Sequence, residues 1–346
     1  MTRLIITTVR NEAPFLIEWI AYHQHIGFTD FLIYSNDCDD GTDDMLDRLQ
    51  ALGHVTHERN HSRGKKPVQW RALNKAQRHK LTKSAEWVFV ADVDEFLNIH
   101  AGDGLLDDLF GAKPEADGFA IPWRMFGNGG VQSFDDMPVL GQFTKAALDT
   151  MIWPWKAVQY KSLFKPGDSY ERLGVHRPKL AAGVEPGKWY DGNGAEDRAW
   201  TGTYQFHRTA RYTLAQINHY PLGSIESFLV KRDRGKPNHK DDPIDLDYWV
   251  DRNFADVDDR SIQRHGAAVS NRCAALMSDP ELRQLHDNAV AWRKAKVAEL
   301  LQDQETFQLY ATLLHTPPTS PLPLTDQEQL LNQLIKIRRA IKAGTS

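Results

Sequence analysis

The sequence predicts an α/β fold: a mostly parallel, Rossmann-like sheet flanked by helices, followed by an irregular region and a helical extension. Three observations carry this. Over the first 125 residues, β-branched and aromatic runs alternate with helix-length amphipathic segments, the pattern of βαβ units. After Gly127 the apolar runs shorten, and Gly, Pro, Trp and Asp become frequent. From Ser224 onward helical periodicity dominates. The chain therefore divides into residues 1–125, 126–240, 241–315 and 316–346.

Each element has a local reason. Residues 4–9 form a β-branched run. Asn11 is expected to cap the next helix, with Glu12 in its first turn and Pro14 close behind. Leu16, Ile17, Trp19, Ile20 and His23 recur at helical spacing, and Gly27 supplies the stop. A strand at 31–34, a helix at 43–52 closed by Gly53, and a weaker strand at 55–58 follow. Then come a helix at 68–83 and strands at 87–91 and 119–122. In the irregular region the clearest strands are 160–164 and 204–207, and an alternating run at 213–217 leads to His219 at a strand end. The Pro-rich stretch 316–323 reads as a stiff linker. It leads to a final helix at 326–343 whose apolar stripe is Leu330, Leu331, Leu334, Ile337 and Ile341. Beside that stripe stand Lys336, Arg338, Arg339 and Lys342, so docking, subunit pairing and lying on a membrane surface all remain open uses.

Composition narrows the function. The chain has 346 residues, 41% apolar and 25% charged, as in soluble globular proteins. A net charge of -4 argues against a nucleic-acid partner held by a basic field. No apolar run approaches the ~20 residues of a membrane span. Met1-Thr2-Arg3 runs straight into Leu4-Ile5-Ile6, too short for a signal-peptide core, and Cys38 and Cys273 make neither a disulfide framework nor a zinc pattern. A cytoplasmic setting is expected, with peripheral contact at the inner face of the membrane left open. The 10 Trp and 14 His, beside Asp and Arg, suit a site that stacks on flat apolar faces and binds hydroxyls.

The most informative stretch is Trp87-Val88-Phe89-Val90-Ala91-Asp92-Val93-Asp94-Glu95-Phe96. A buried apolar strand ends in three carboxylates within four residues. Carboxylates so close repel, and they persist as anions only with positive charge among them. A hard divalent cation with oxygen ligands is the simplest such partner, and strand ends of open α/β sheets are where ligands bind. A solvated turn is the bland alternative. Asp37-Cys38-Asp39-Asp40-Gly41 is not a calcium loop, because its glycine falls one residue early and its twelfth position is Arg48 rather than Glu.

Three segments together resemble bacterial glycosyltransferases of family 2 and near relatives, including family 92: Thr7-Thr8-Val9-Arg10-Asn11-Glu12, Ser35-Asn36-Asp37-Cys38-Asp39-Asp40-Gly41-Thr42, and Asp92-Val93-Asp94-Glu95, which looks like the family's DxD motif. The likeness covers residues 1–125 well and thins to islands at 123–130 and 218–235. It implies the GT-A fold, with residues 1–125 as the nucleotide-sugar-binding half, 126–240 as the acceptor-binding half, and Thr8, Arg10, Asn11 and Glu12 at the donor site. It implies a metal-dependent, inverting transfer of a sugar from a UDP- or GDP-sugar to a saccharide or other hydroxyl acceptor, with Mn2+ or Mg2+ neutralising the diphosphate leaving group. Asp92 would meet the ribose or the metal and Asp94 would ligate the metal. Glu95 either belongs to the subgroup's pattern or is a solvated or helix-capping acid.

By the same resemblance Asp37 would bond the nucleobase, while Asp39 and Asp40 read as turn residues. Arg71, in Trp70-Arg71-Ala72-Leu73-Asn74-Lys75-Ala76, would reach the nucleotide, and its alternative is a surface arginine. His219 would complete the metal or diphosphate site, with His176 a second candidate. Lys231 and Arg234, in the basic stretch 231–236, would bind phosphates. For the base that takes the acceptor's proton, Glu196 and Asp197 are the candidates and Asp135 and Asp136 their rivals. Trp123, Phe126, Trp153, Trp155, Trp189 and Trp200 are either stacking surfaces or core. A nucleotidyl or phosphoryl transferase is disfavoured, since Arg10-Asn11-Glu12 stands where such enzymes carry a glycine-rich phosphate loop. A non-catalytic carbohydrate-binding module is the third reading.

Overall fold

A computed structural model describes residues 2–61, 67–197, 210–235 and 244–344. Its strands are β1 (Arg3–Val9), β2 (Asp30–Ser35), β3 (Thr56–Arg59), β4 (Trp87–Val90), β5 (Glu95–Ile99), β6 (Gly118–Met125), β7 (Lys145–Ala146), β8 (Tyr160–Phe164), β9 (Tyr170–Arg172), β10 (Lys179–Leu180), β11 (Trp189–Asp191), β12 (Ala215–His219) and β13 (Val257–Asp258). The helices are α1 (Ala13–Ile26), α2 (Thr42–Ala51), α3 (Val68–Ala76), α4 (Lys80–Ser84), α5 (Leu106–Ala112), α6 (Val139–Gln142), α7 (Ile225–Arg234), α8 (Leu246–Val250), α9 (Gly266–Leu276), α10 (Pro280–Leu300), α11 (Gln304–His315) and α12 (Leu324–Gly344).

One mixed sheet runs β3-β2-β1-β4-β8-β6-β12-β5, with β11 paired to β6. Strands β3, β2, β1 and β4 are parallel, in the register Leu4↔Asp30, Arg3↔Trp87 and Leu32↔Thr56. Their C-terminal ends thus share one edge, where the loops carrying the acidic motifs emerge. Strand β8 enters antiparallel between β4 and β6, and β12 lies between β6 and β5. One core cluster joins α1 (Trp19, Ile20) to the sheet (Ile5, Phe89) and to Val269, Leu276 and Leu282 of the C-terminal helices. A second covers the other face through Ala72, Leu73 and Trp189. The α/β class expected from the alternating runs is the fold observed.

Several local expectations are corrected. Helix α1 starts one residue later than read. Glu12 is its cap without a side-chain bond, and Asn11 sits at φ 53, its Oδ1 accepting the Asp39 amide. The first turn is satisfied from elsewhere: Thr42 Oγ1 accepts the Glu12 amide and Asp40 Oδ2 the Ala13 amide. Residues 68–83 form two helices rather than one, because His79 adopts an extended backbone and its ring accepts the Leu81 amide to start α4. Strand β5 and helix α5 were not anticipated. The expected strand at 204–207, together with Trp200 and Lys236, lies outside the described residues.

Candidate active site

Strand β4 delivers the acidic run at the sheet edge, and the chain reverses at once into β5. Glu95, the first residue of β5, is fully buried and neither solvated nor capping a helix. Its Oε2 accepts the Asp92 amide at 2.9 Å and lies 3.1 Å from Lys161 Nζ. Lys161, on β8, is also fully buried and reaches Asp92 Oδ2 at 2.9 Å. Burial pushes Glu95 up to about 8 against the pull of Lys161. Burial opposes the Lys161 charge as well, but Asp92 and Glu95 outweigh it and hold the ammonium protonated. Gln69 of α3 donates to Asp92 Oδ1 at 3.2 Å.

Asp94 faces another group. Lys231 of α7 donates to its Oδ2 at 2.7 Å and to the Pro221 carbonyl at 2.7 Å, while Nε2 of His219, the last residue of β12, is 3.7 Å from its Oδ1. Burial works to raise the Asp94 carboxyl, yet Lys231 and His219 hold it well below the usual carboxylate range. Burial lowers the pKa of His219, and its Nδ1 has no hydrogen-bond partner among the described residues. The Trp123 ring lies between His219 (4.3 Å) and His176 (5.2 Å). Burial, aided by Lys161, lowers His176 to about 3.

A third group closes the edge over β1. Arg234, at the end of α7, pairs with Glu12 and donates to the Arg10 carbonyl, while Arg10 donates back to the Arg234 carbonyl at 3.0 Å. Burial raises the Glu12 carboxyl, opposed by Arg234. A fourth group lies past β2 and β3. Asp37, at φ 46, is 3.4 Å from His61 Nδ1, and Arg71 donates to the His61 carbonyl at 2.6 Å. Thr8 lies on β1, paired with Tyr34 of β2.

The residues for which the sequence suggests a donor-side role thus lie along one edge. The base candidates are spread more widely. Glu196 and Asp197 follow β11, where the Asp197 amide donates to the Trp189 carbonyl. Asp136 meets His286 of α10 at 3.0 Å. Asp135 lines a pocket beside Asp94, together with Glu12, Lys231 and Arg234. Trp123, Phe126 and Trp189 are buried core. Trp153 and Trp155 are partly exposed, with Arg338 over the Trp155 ring at 4.1 Å.

For a divalent cation, Asp94 Oδ1 and the His219 Nε2 that faces it at 3.7 Å would be the donor pair, an oxygen and an imidazole nitrogen of the kind Mn2+ accepts, while the unpartnered Nδ1 lies on the other side of the ring. Asp92 is turned to Lys161. Among the described residues no three His, Cys, Asp or Glu are grouped to hold a metal. Lys161 and Lys231 lie against these acids and supply positive charge among them. Lys161 is the residue sequence reasoning missed, and its signal was a lone cation inside the apolar strand Tyr160-Lys161-Ser162-Leu163-Phe164.

A mixed α/β sheet with acids, a histidine and cations at the C-terminal edge of its parallel strands places this chain in the class of α/β proteins whose candidate sites lie at strand ends. The profile of glycosyltransferase family 92 matches residues 6–187, more than half of the chain, and the chain belongs to that family. It is 33% identical over 132 residues to a family 92 protein of Oryza sativa subsp. japonica, covering 36% of this chain and 21% of the relative. It is 34% identical over 107 residues to one of Ricinus communis, covering 30% and 18%. The chain thus spans about a fifth of the length of these curated relatives. Among solved structures it is similar to S. aureus TarS 1–349 in complex with UDP, at TM-score 0.29 and 13% identity, covering 48% of this chain and 47% of that one. Among the described residues no helix is long and apolar enough to cross a membrane.

Proposed function

We propose that this chain is a glycosyltransferase that moves a sugar, with inversion, from a UDP- or GDP-sugar to a saccharide or other hydroxyl acceptor. The observation that carries this reading is the convergence of Asp94, His219 and Lys231 from the β4–β5 turn, β12 and α7 on one sheet edge. Departure of a nucleoside diphosphate puts negative charge on the phosphates, and cations aimed there stabilise the transition state more than the ground state. Lys231 and Arg234 on α7 are placed to do so. Mn2+ or Mg2+, held by Asp94 and His219 with Asp92 nearby, would add Lewis-acid neutralisation of the diphosphate. Asp37, with His61 and Arg71 beside it, is proposed to take the nucleobase and ribose end, alongside Thr8, Arg10, Asn11 and Glu12. For the acceptor's proton the proposed bases are Glu196, Asp197 and Asp135. Peripheral contact with the inner face of a membrane through α12 belongs to the same proposal.

Thermal-shift titration with UDP, GDP and CMP, with and without Mn2+, tests the donor side. The expected result is stabilisation by one nucleoside diphosphate that grows with the metal, followed by a glycosylated product when the matching sugar nucleotide is supplied. If no nucleotide raises the melting temperature and every sugar nucleotide in a panel is left intact, the reading is wrong.

A further inference from the structure

Beside Asp94 the structure holds a pocket between α1, α6, α7 and α10. Its walls are apolar: Phe15 from α1, Phe134 and Val139 from the segment around α6, and Phe143, Tyr220 and Leu222. Five charged side chains besides the exposed Asp135 line it: Glu12, Asp94, Lys231, Arg234 and Arg293. Four of these are matched, Glu12 with Arg234 and Asp94 with Lys231. The fifth is not. Arg293 comes from α10, outside the residues that match the family profile, and is only 4% exposed.

Its guanidinium sits against two rings, 4.7 Å from the Phe15 centroid and 5.2 Å from that of Phe134. The hydrogen bond it makes is long, 3.4 Å to the Ser227 carbonyl, and its Nε has no partner among the described residues. Burial and the neighbouring Arg234 lower its pKa to about 10, opposed by Glu12 and Asp40. A guanidinium has five donors in a fixed fork, and leaving them unmatched in an apolar setting is costly. The two phenyl rings stabilise the cation but accept none of its donors. A fork held still by two rings and short of acceptors is prepared for a planar or tetrahedral anion.

We propose that this pocket is the acceptor subsite and selects an acceptor carrying an anionic group, a carboxylate or a phosphate, which Arg293 receives while the apolar walls cover the faces of the sugar. The proposal rests on the glycosyltransferase reading for the word acceptor, but not for the anion preference itself.

The test is calorimetric titration of the full chain, without donor, with three probes: phenyl β-D-glucoside, phenyl β-D-glucuronide and phenyl β-D-glucoside 6-phosphate. One of the anionic probes should bind about tenfold or more tighter than the neutral one, the scale of a charge-assisted hydrogen bond, and the better of the two identifies carboxylate or phosphate. In Arg293→Met the ratio of anionic to neutral affinity should fall to about one. Arg293→Lys, which keeps the charge and not the fork, should retain part of it. A melting curve on each variant separates loss of fold from loss of selectivity. Equal binding of all three probes to the wild type, or a preference that survives in Arg293→Met, overturns the proposal. So does a preference abolished by saturating UDP, which would place the anion in the diphosphate position. Because no donor is present, failure of glycosyl transfer leaves this outcome intact, and an active transferase with no anion preference would refute the proposal alone.

Discussion

Lys161 sits with no exposed surface between Asp92 and Glu95, and above about pH 8, where Glu95 loses its proton, removing it would leave one fully buried and one partly exposed carboxylate without that counter-charge. In urea unfolding at about pH 9, Lys161→Met should therefore cost about 1–3 kcal/mol, the range for leaving a buried polar group without its partner. Adding Glu95→Gln should restore part of that loss, because the amide oxygen can still accept the Asp92 amide while the buried charge is gone. Equal stability of the single and double variants would mean that Glu95 does not carry the charge Lys161 balances. Asp94→Asn keeps the size and removes the anion shared by Lys231 and His219. Metal-dependent turnover should vanish while the circular-dichroism spectrum stays native, the melting temperature falling only as far as the loss of the Lys231 ion pair lowers it, and near-normal activity at low Mn2+ would contradict the assignment. Asp37→Ala should weaken nucleoside-diphosphate binding by about 1–3 kcal/mol in calorimetry, and an unchanged affinity would leave it a turn residue. The acids of this edge were legible because a buried strand ending in carboxylates is a local pattern. Lys161 and Arg293 were not, since each meets its partners only after β8 or α10 has been packed against distant chain.

At the scale of elements, Glu18 shows how a single carboxylate fixes a segment. It lies on α1 and accepts the amides of Val139 (2.7 Å) and Leu140 (3.2 Å), holding α6 against the pocket wall. Burial raises it from 4.5 to about 7, against the pull of those two amides. The native state thus keeps a proton that the unfolded chain releases from about pH 4.5 upward. The stability contribution is complete below that pH and declines as pH climbs through about 7. Urea melts should show wild-type stability falling by about 1–3 kcal/mol over this window from this group, and Glu18→Gln should flatten that part of the profile. A slope unchanged by the substitution would assign the dependence elsewhere. The strands with uniform apolar runs were readable by pattern. Strand β5 was not, because Glu-Phe-Leu-Asn-Ile carries an acid and an amide in a fully buried position. Asn98 is matched by Asn218 (3.3 Å) and Ser261 (2.8 Å), partners 120 and 163 residues away.

At the scale of the whole molecule, the helices after residue 240 are part of the core that supports the site. Val269, Leu276 and Leu282 share one cluster with Trp19 and Ile20 of α1, and α10 also touches α2 and α7. Arg48 of α2 holds Asp279, the cap of α10, through two bonds at 3.0 and 2.5 Å. Each of those three apolar side chains contributes about 1.5–3 kcal/mol by leaving water, so their loss together approaches the whole stability of a domain. The terminal segment is tied more lightly. The Thr319 amide donates to the Asn253 carbonyl at 2.7 Å, and Gln327 Oε1 accepts the amides of Ile152 and Trp153 at 2.9 and 3.1 Å. Beyond Gln327, Leu330, Ile337 and Ile341 of α12 are 39–60% exposed. A chain ended after residue 315 should therefore fold, with stability lowered by about 1–2 kcal/mol as those amides return to water, and Gln327→Ala should reproduce much of that loss. Its circular-dichroism and tryptophan-fluorescence melts should coincide, as for one cooperative unit. A chain ended after residue 240 should instead expose the α1 face, bind a hydrophobic dye and lose its near-ultraviolet signal. If that shorter chain melted cooperatively and still bound nucleotide, the C-terminal helices would be an accessory layer, and α10 would have no part in shaping the pocket beside Asp94.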